Sequence, residues 1–186
     1  MPGSGSLEPA SAVAALIVGL DSDNVTVRQR ARLALTAIGA TATPALAAAL
    51  HDGSNRLRWE AAKALADIKD PAAAPALVQA LEDREFGVRW LASEALLGLG
   101  VLSVEPVLRA LMSRPQSFLL RQSARRLLRW LYDQEICREQ LEPVLDVLSG
   151  AEPEITVPVA AKSALAALTA AGANPECSDP SSLVTA

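Results

Sequence analysis

A nine-residue phrase that recurs along the chain restricts its possible folds more than any other feature. The phrase reads V/L-R-x-x-A-x-x-A/L-L, begins at Val27, Leu57, Val88 and Leu120, and has a degenerate fifth copy at Val157. Successive arginines are 30, 31 and 32 residues apart. A fixed period of this length is typical of arrays in which one supersecondary unit is stacked repeatedly. We call this the arginine phrase.

A second phrase, the proline phrase, alternates with the first. It has the form Pro-x-Leu, begins at Pro44, Pro75, Pro106 and Pro143, and has an incomplete copy near Ala14. Two phrases in each period predict two helices per repeat. Helical spacing supports this prediction, because the apolar residues of an arginine phrase fall within a narrow arc at 100° per residue. For the second copy these residues are Leu57, Ala61, Ala64, Leu65 and Ile68.

Composition excludes several other classes of protein. Alanine and leucine dominate the 186 residues, runs of β-branched residues are missing, and the formal net charge is −4, which argues against nonspecific coating of nucleic acid. The cysteines, Cys137 and Cys177, indicate no disulfide framework, and the apolar run 12–20 is too short to span a bilayer. We therefore expect a soluble, cytoplasmic, all-α monomer, with residues 8–171 in the repeat domain and flexible ends at 1–7 and 172–186.

These phrases resemble the HEAT-like repeats of phycobilisome lyases over about residues 8–170. The resemblance implies an α-α superhelix, a right-handed solenoid of four to five stacked helical hairpins in which the fifth unit is a divergent cap. In that family an aspartate six residues before the arginine forms a polar ladder between repeats. The ladder residues expected here are Asp52 with Arg58, Asp83 with Arg89, and the equivalent Arg28 and Arg121.

The resemblance also implies a partner-binding surface on the concave side, formed by the outward positions of the arginine phrase. Trp59 lies about 200° around its helix from Leu57, opposite the core arc, which independently supports an outward position. Large exposed aromatic side chains indicate binding, but indoles that pack between successive helices would give the same pattern. The candidate partner-binding residues are Trp59, Glu60, Lys63, Trp90, Leu91, Glu94, Gln122, Arg126 and Trp130.

The sequence predicts a binding protein rather than an enzyme. His51, the one histidine, has no metal-ligand spacing around it, and neither a phosphate loop nor a nucleophile motif is present. We expect no catalytic residue, metal or cofactor, and the primary hypothesis is a protein-interaction scaffold. A bilin-lyase-like subunit or chaperone is the alternative. Nucleic-acid binding through the basic stretch from Arg109 to Arg138 is a third hypothesis. A solvated helix face explains that stretch better.

Overall fold

The computed structural model describes residues 9–171, and within them every regular element is helical. The two ends that the sequence predicts to be flexible lie outside this range. Short 3-10 helices at Gly39–Ala42, Pro71–Ala73 and Gly100–Ser103 connect successive repeats. The α-helices are α1 Pro9–Leu20, α2 Val25–Ile38, α3 Thr43–Ala49, α4 Asn55–Ile68, α5 Ala74–Ala80, α6 Phe86–Gly98, α7 Val104–Ser113, α8 Phe118–Asp133, α9 Arg138–Val147 and α10 Pro153–Ala171.

Short polar side chains start three of the four helices that carry an intact arginine phrase; α6 begins after Glu85 without a side-chain cap. Asn24, Ser54 and Ser117 have extended backbone angles, and each accepts a hydrogen bond from a backbone N–H of the first turn of α2, α4 or α8. Such caps satisfy donors that have no partner within the helix. Asp70 does the same for Ala72 at the start of the 3-10 helix Pro71–Ala73.

The helices pair as hairpins and stack in two rows. The arginine row consists of α2, α4, α6 and α8, and the proline row consists of α1, α3, α5 and α7. The alanine three residues after each arginine is at most 4% exposed, which lets neighbouring helices approach closely. The leucine seven residues after it is at most 1% exposed. These residues are Ala31, Ala61, Ala92 and Ala124, and Leu35, Leu65, Leu96 and Leu128. The predicted all-α repeat stack is therefore confirmed.

The last hairpin is reversed relative to the others. By the alternation of the phrases, α9 would continue the proline row and α10 the arginine row. In the structure α10 packs against α7, and α9 packs against α8. The spacing of the proline phrases grows from 31 residues between Pro75 and Pro106 to 37 between Pro106 and Pro143. The added residues lengthen α8 to 16 residues and place a turn of α9 before Pro143. The intervening turn contains two residues in the left-handed region, Glu135 (φ 62°) and Cys137 (φ 49°), where the chain changes direction.

Residues 25–49 are apolar and long enough to span a membrane by composition alone. In the structure this segment is not one helix, because the chain breaks at Gly39 (φ 71°) between α2 and α3. The two helices then join different rows of the stack. The segment is therefore not a continuous helix of the length that a bilayer requires.

Candidate binding groove

The arginine of each repeat has a structural role within its own hairpin. The Arg58 guanidinium donates to the backbone carbonyls of Asp52 and Gly53 at 3.0 and 3.1 Å. These carbonyls belong to the loop that joins α3 to α4, so the side chain fixes the hairpin connection. Arg28 donates in the same way to Ser22 and Asp23, Arg89 to Asp83 and Arg84, and Arg121 to Pro115.

The predicted polar ladder between repeats is present at Asp83. Its carboxylate accepts from Arg58 of the preceding repeat, with distances of 2.6 Å from Nε and 3.0 Å from Nη2. Both side chains of this bidentate pair are buried, and the hydrogen bond to Asp83 raises the pKa of Arg58 above its ordinary value. The carboxylate of Asp52 instead accepts from the backbone N–H of Ser54. The ladder that we expected at each intact Asp/Arg pair therefore forms as a side-chain link at Asp83 and not at Asp52.

The expectation that Glu60 and Leu91 face outward is wrong. They are 7% and 8% exposed, respectively. Both stand two residues after the arginine, and this position faces the preceding repeat, since Glu60 accepts from Arg28 and Arg32 of α2 at 3.4 and 3.1 Å. In the first repeat, which has no preceding arginine-row helix among the described residues, the equivalent Arg30 is exposed.

We expect Glu60→Ala to lower the free energy of unfolding by about 1–3 kcal/mol, because two partly buried guanidinium groups would lose their acceptor. Chemical denaturation followed by circular dichroism measures this effect. Glu94→Ala is the control, since Glu94 is exposed on the next helix of the row and its replacement is expected to change stability by less than about 0.5 kcal/mol. Equal effects of the two substitutions would contradict the structural role of Glu60.

The three indoles are partly exposed, but they do not line one common groove. Trp59 is 37% exposed and packs over Gly87 of the next helix in the row, where an added Cβ would lie 3.2 Å from its Cδ1. Lys63 Nζ lies 4.9 Å from the centroid of the Trp59 ring. Trp59 thus packs between repeats, as the alternative explanation requires. Trp90 and Trp130 are each 43% exposed. Trp90 lines a cavity between α6, α8 and the α9–α10 corner, and neither Trp59 nor Trp130 lines it.

The cavity that Trp90 lines, which we call the basic groove, has a volume of about 1090 Å³. It lies where α6 and α8 meet the corner between α9 and α10, so the reversed hairpin supplies one wall. Phe86 and Phe118 are 67% and 66% exposed, and with Trp90 they give the groove an aromatic side. The lining residues are Phe86, Arg89, Trp90, Phe118, Arg121, Gln122, Ser123, Arg125, Arg126, Arg129, Leu145, Asp146, Leu148, Ser149, Gly150 and Pro153.

Arginine dominates the charge of the basic groove, in which five arginines face one aspartate, Asp146. Arg121 lies 3.8 Å from Glu154, and Arg129 lies 3.1 Å from Asp133, so each of these two has a carboxylate nearby. Arg125 and Arg126 are exposed and form no ion pair within residues 9–171. These two guanidinium groups are therefore available to an anionic ligand.

The basic groove contains only part of the predicted surface. Of the predicted residues, Trp90, Gln122 and Arg126 line the basic groove. Trp59 lines a separate cavity of about 270 Å³. Predicted residues that line neither of these two cavities are Lys63, Leu91, Glu94 and Trp130.

Sequence reasoning missed Phe86 and Phe118. Both stand three residues before the arginine, at the first position of α6 and α8. Their shared place in the repeat was the signal that could have revealed them. The Arg89 guanidinium lies 5.6 Å from the centroid of the Phe86 ring, which adds a cation–π contact at the edge of the groove.

Comparison with known families decides what kind of repeat this is. The family model for HEAT repeats matches residues 13–97 and again residues 43–129, together more than half of the chain. The chain belongs to the HEAT-repeat family. This match confirms the predicted HEAT-like repeat, and it does not distinguish the phycobilisome-lyase type from other HEAT repeats.

Two further comparisons add little to the family assignment. No curated protein matches this HEAT-repeat chain significantly. Among solved structures, it is similar to the crystal structure of an engineered protein from the Northeast Structural Genomics Consortium, with 19% identity and a TM-score of 0.41 over 94% of this chain and 89% of that one. A likeness this low carries no argument about function.

Proposed function

We propose that this HEAT-repeat protein is a non-enzymatic scaffold that binds a partner protein through the basic groove. HEAT-repeat proteins are commonly protein-interaction scaffolds. The observation that carries the proposal for this chain is the joint exposure of Phe86, Trp90 and Phe118 around one groove. Aromatic side chains next to arginine are typical of the residues that contribute most to protein interfaces.

The proposed surface differs from the one that the sequence predicts. It keeps Trp90, Gln122 and Arg126, adds the two phenylalanines, and omits the buried Glu60 and Leu91. The arginines that hold the hairpin loops, such as Arg58, stabilise the scaffold beneath this surface. A cytoplasmic location and a monomeric state remain part of the proposal, to be tested by cell fractionation and by sedimentation.

Trp90→Ala is expected to weaken binding of the partner by about 2 kcal/mol, or roughly thirtyfold, because a partly exposed indole that lines a groove is typical of a binding hot spot. Trp130→Ala is the matched control, since Trp130 has the same 43% exposure and lies outside the basic groove. Affinity capture with quantitative mass spectrometry would identify proteins retained by the wild type and by Trp130→Ala but lost from Trp90→Ala. Equal recovery with all three folded proteins would contradict the proposal.

A role like that of a bilin-lyase subunit is the second candidate function. The aromatic side of the basic groove would suit the pyrrole rings of an open-chain tetrapyrrole, and its arginines would suit the carboxylates of such a ligand. Titration with a bilin, followed by absorbance, tests this role. An absorbance change that Trp90→Ala abolishes would support it, and an unchanged spectrum would exclude it.

A further inference from the structure

We propose that the basic groove binds an acidic peptide segment of the partner protein, with its carboxylates on Arg125 and Arg126 and an apolar side chain against the aromatic side. This inference rests on the proposed function, because it names the kind of segment that the scaffold would recognise. Two observations carry it: the charge of the groove and the position of its apolar surface.

The charge of the groove is opposite to that of the protein as a whole. The basic groove is lined by five arginines and one aspartate, whereas the chain has a formal net charge of −4. The surface outside the groove is consequently more acidic than the total indicates. An electrostatic potential that is positive in the groove and negative around it attracts a short anionic segment into the groove. The surrounding negative surface is unfavourable to a long polyanion.

Arg125 and Arg126 differ from the other three groove arginines in what already occupies the guanidinium groups. Arg89 forms no ion pair within residues 9–171, but it donates to the backbone carbonyls of Asp83 and Arg84. Arg121 donates to the Pro115 carbonyl and lies near Glu154, and Arg129 has Asp133. Arg125 and Arg126 have no such ion pair within the described part of the chain. A guanidinium can bind a carboxylate through two parallel hydrogen bonds, so this adjacent pair would recognise acidic side chains.

The apolar part of the groove explains why we favour a peptide over a nucleic acid. Phe86, Phe118 and Trp90 come from α6 and α8, and Leu145, Leu148 and Pro153 from the α9–α10 corner line the same groove. Together these surfaces suit an aliphatic or aromatic side chain between them. The exposed carboxylate of Asp146 stands in the same groove, where it would repel a continuous phosphate backbone but could lie beside an apolar residue of a peptide.

Selection from a phage-displayed library of random dodecapeptides tests the inference directly. Peptides retained on the wild-type protein are expected to be enriched in Asp and Glu around one aromatic or aliphatic residue, relative to the unselected library. In fluorescence anisotropy, the Arg125→Gln/Arg126→Gln variant is expected to bind these peptides about tenfold more weakly than the wild type. Raising NaCl from about 0.1 M to about 1 M, which shortens the Debye length from about 10 to about 3 Å, is expected to remove most of this difference.

A matched variant separates a local contact from a change in net charge. Arg30→Gln/Arg109→Gln removes the same charge from exposed positions outside the groove, and its affinity for the selected peptides is expected to stay within about twofold of the wild type. Equal weakening by the two double variants would overturn the inference. It would also be overturned by tighter, arginine-dependent binding of a labelled single-stranded oligothymidylate, which would assign the groove to nucleic acid.

The outcomes also separate this inference from the proposed function. Peptides that need Trp90 but show no acidic enrichment and no dependence on Arg125 and Arg126 would overturn the inference and leave the scaffold proposal intact. Peptides that bind equally well to Trp90→Ala, or a selection that yields no binding peptide, would count against both.

Discussion

Arg58→Met is expected to lower the free energy of unfolding by about 3 kcal/mol. The substitution leaves the buried carboxylate of Asp83 without its cation and removes the donor for the carbonyls of Asp52 and Gly53. It therefore disturbs both the connection between two repeats and the loop within one hairpin. Urea denaturation followed by circular dichroism at 222 nm measures the loss.

Two further variants test the cause of this loss. Arg58→Met/Asp83→Leu replaces both charges by apolar groups and is expected to recover part of the stability, since no unpaired carboxylate remains. Arg56→Met removes the ion pair between Arg56 and Asp23, which also joins two repeats but has an exposed carboxylate. This substitution is expected to leave the midpoint of unfolding nearly unchanged. If Arg58→Met and Arg56→Met have the same midpoint, burial of the Arg58–Asp83 pair is not what stabilises this junction.

Leu96→Ala is expected to cost about 3 kcal/mol or more, within the range of about 2.7–5 kcal/mol found for leucine-to-alanine changes that leave a cavity. Leu96 is fully buried in α6, between α4 and α8 of the arginine row. A cavity there weakens contacts with the repeats on both sides, and in a stacked array stability depends on such contacts between neighbours. Chemical denaturation again measures the effect.

Leu102→Ala is the control for Leu96→Ala. It makes the same chemical change at a leucine that is 56% exposed and only a few residues away. We expect this control to change the free energy of unfolding by less than about 0.5 kcal/mol. A similar loss from both variants would mean that the array does not derive its stability from the buried leucine positions of the phrase.

The residues of α6 show how far periodicity predicts a surface. The 100° rotation per residue correctly places Trp90 outside and Leu96 inside, because each position depends only on its own helix. Leu91 stands at the edge of the outward arc, and its burial depends on how closely a neighbouring helix approaches. Glu60 shows the same dependence, since its carboxylate is covered by arginines from α2. Positions at the edge of a helix face are therefore settled by packing.

The basic groove depends on tertiary structure to a greater extent than the positions at the edge of a helix face do. The sequence indicates the arginines of α8 and an insertion after them, but it does not indicate where the last hairpin would lie. Packing of α10 against α7 brings the α9–α10 corner, with Asp146 and Pro153, to the ends of α6 and α8. No pattern within one repeat carries that information, because the position of the last hairpin depends on the packing of α10 against α7, a helix of the preceding repeat.

By itself the sequence determined the family, the two-helix period, the inner alanines and leucines, and the outward direction of Trp90. All of these follow from interactions within one helix or one hairpin, where spacing along the chain fixes position in space. The tertiary structure alone decided that the link between repeats forms at Asp83 and not at Asp52, that Glu60 and Leu91 are covered, and that the last hairpin closes a basic groove. The physical reason is that these features depend on the distances and directions between helices, which the packing of many side chains sets together.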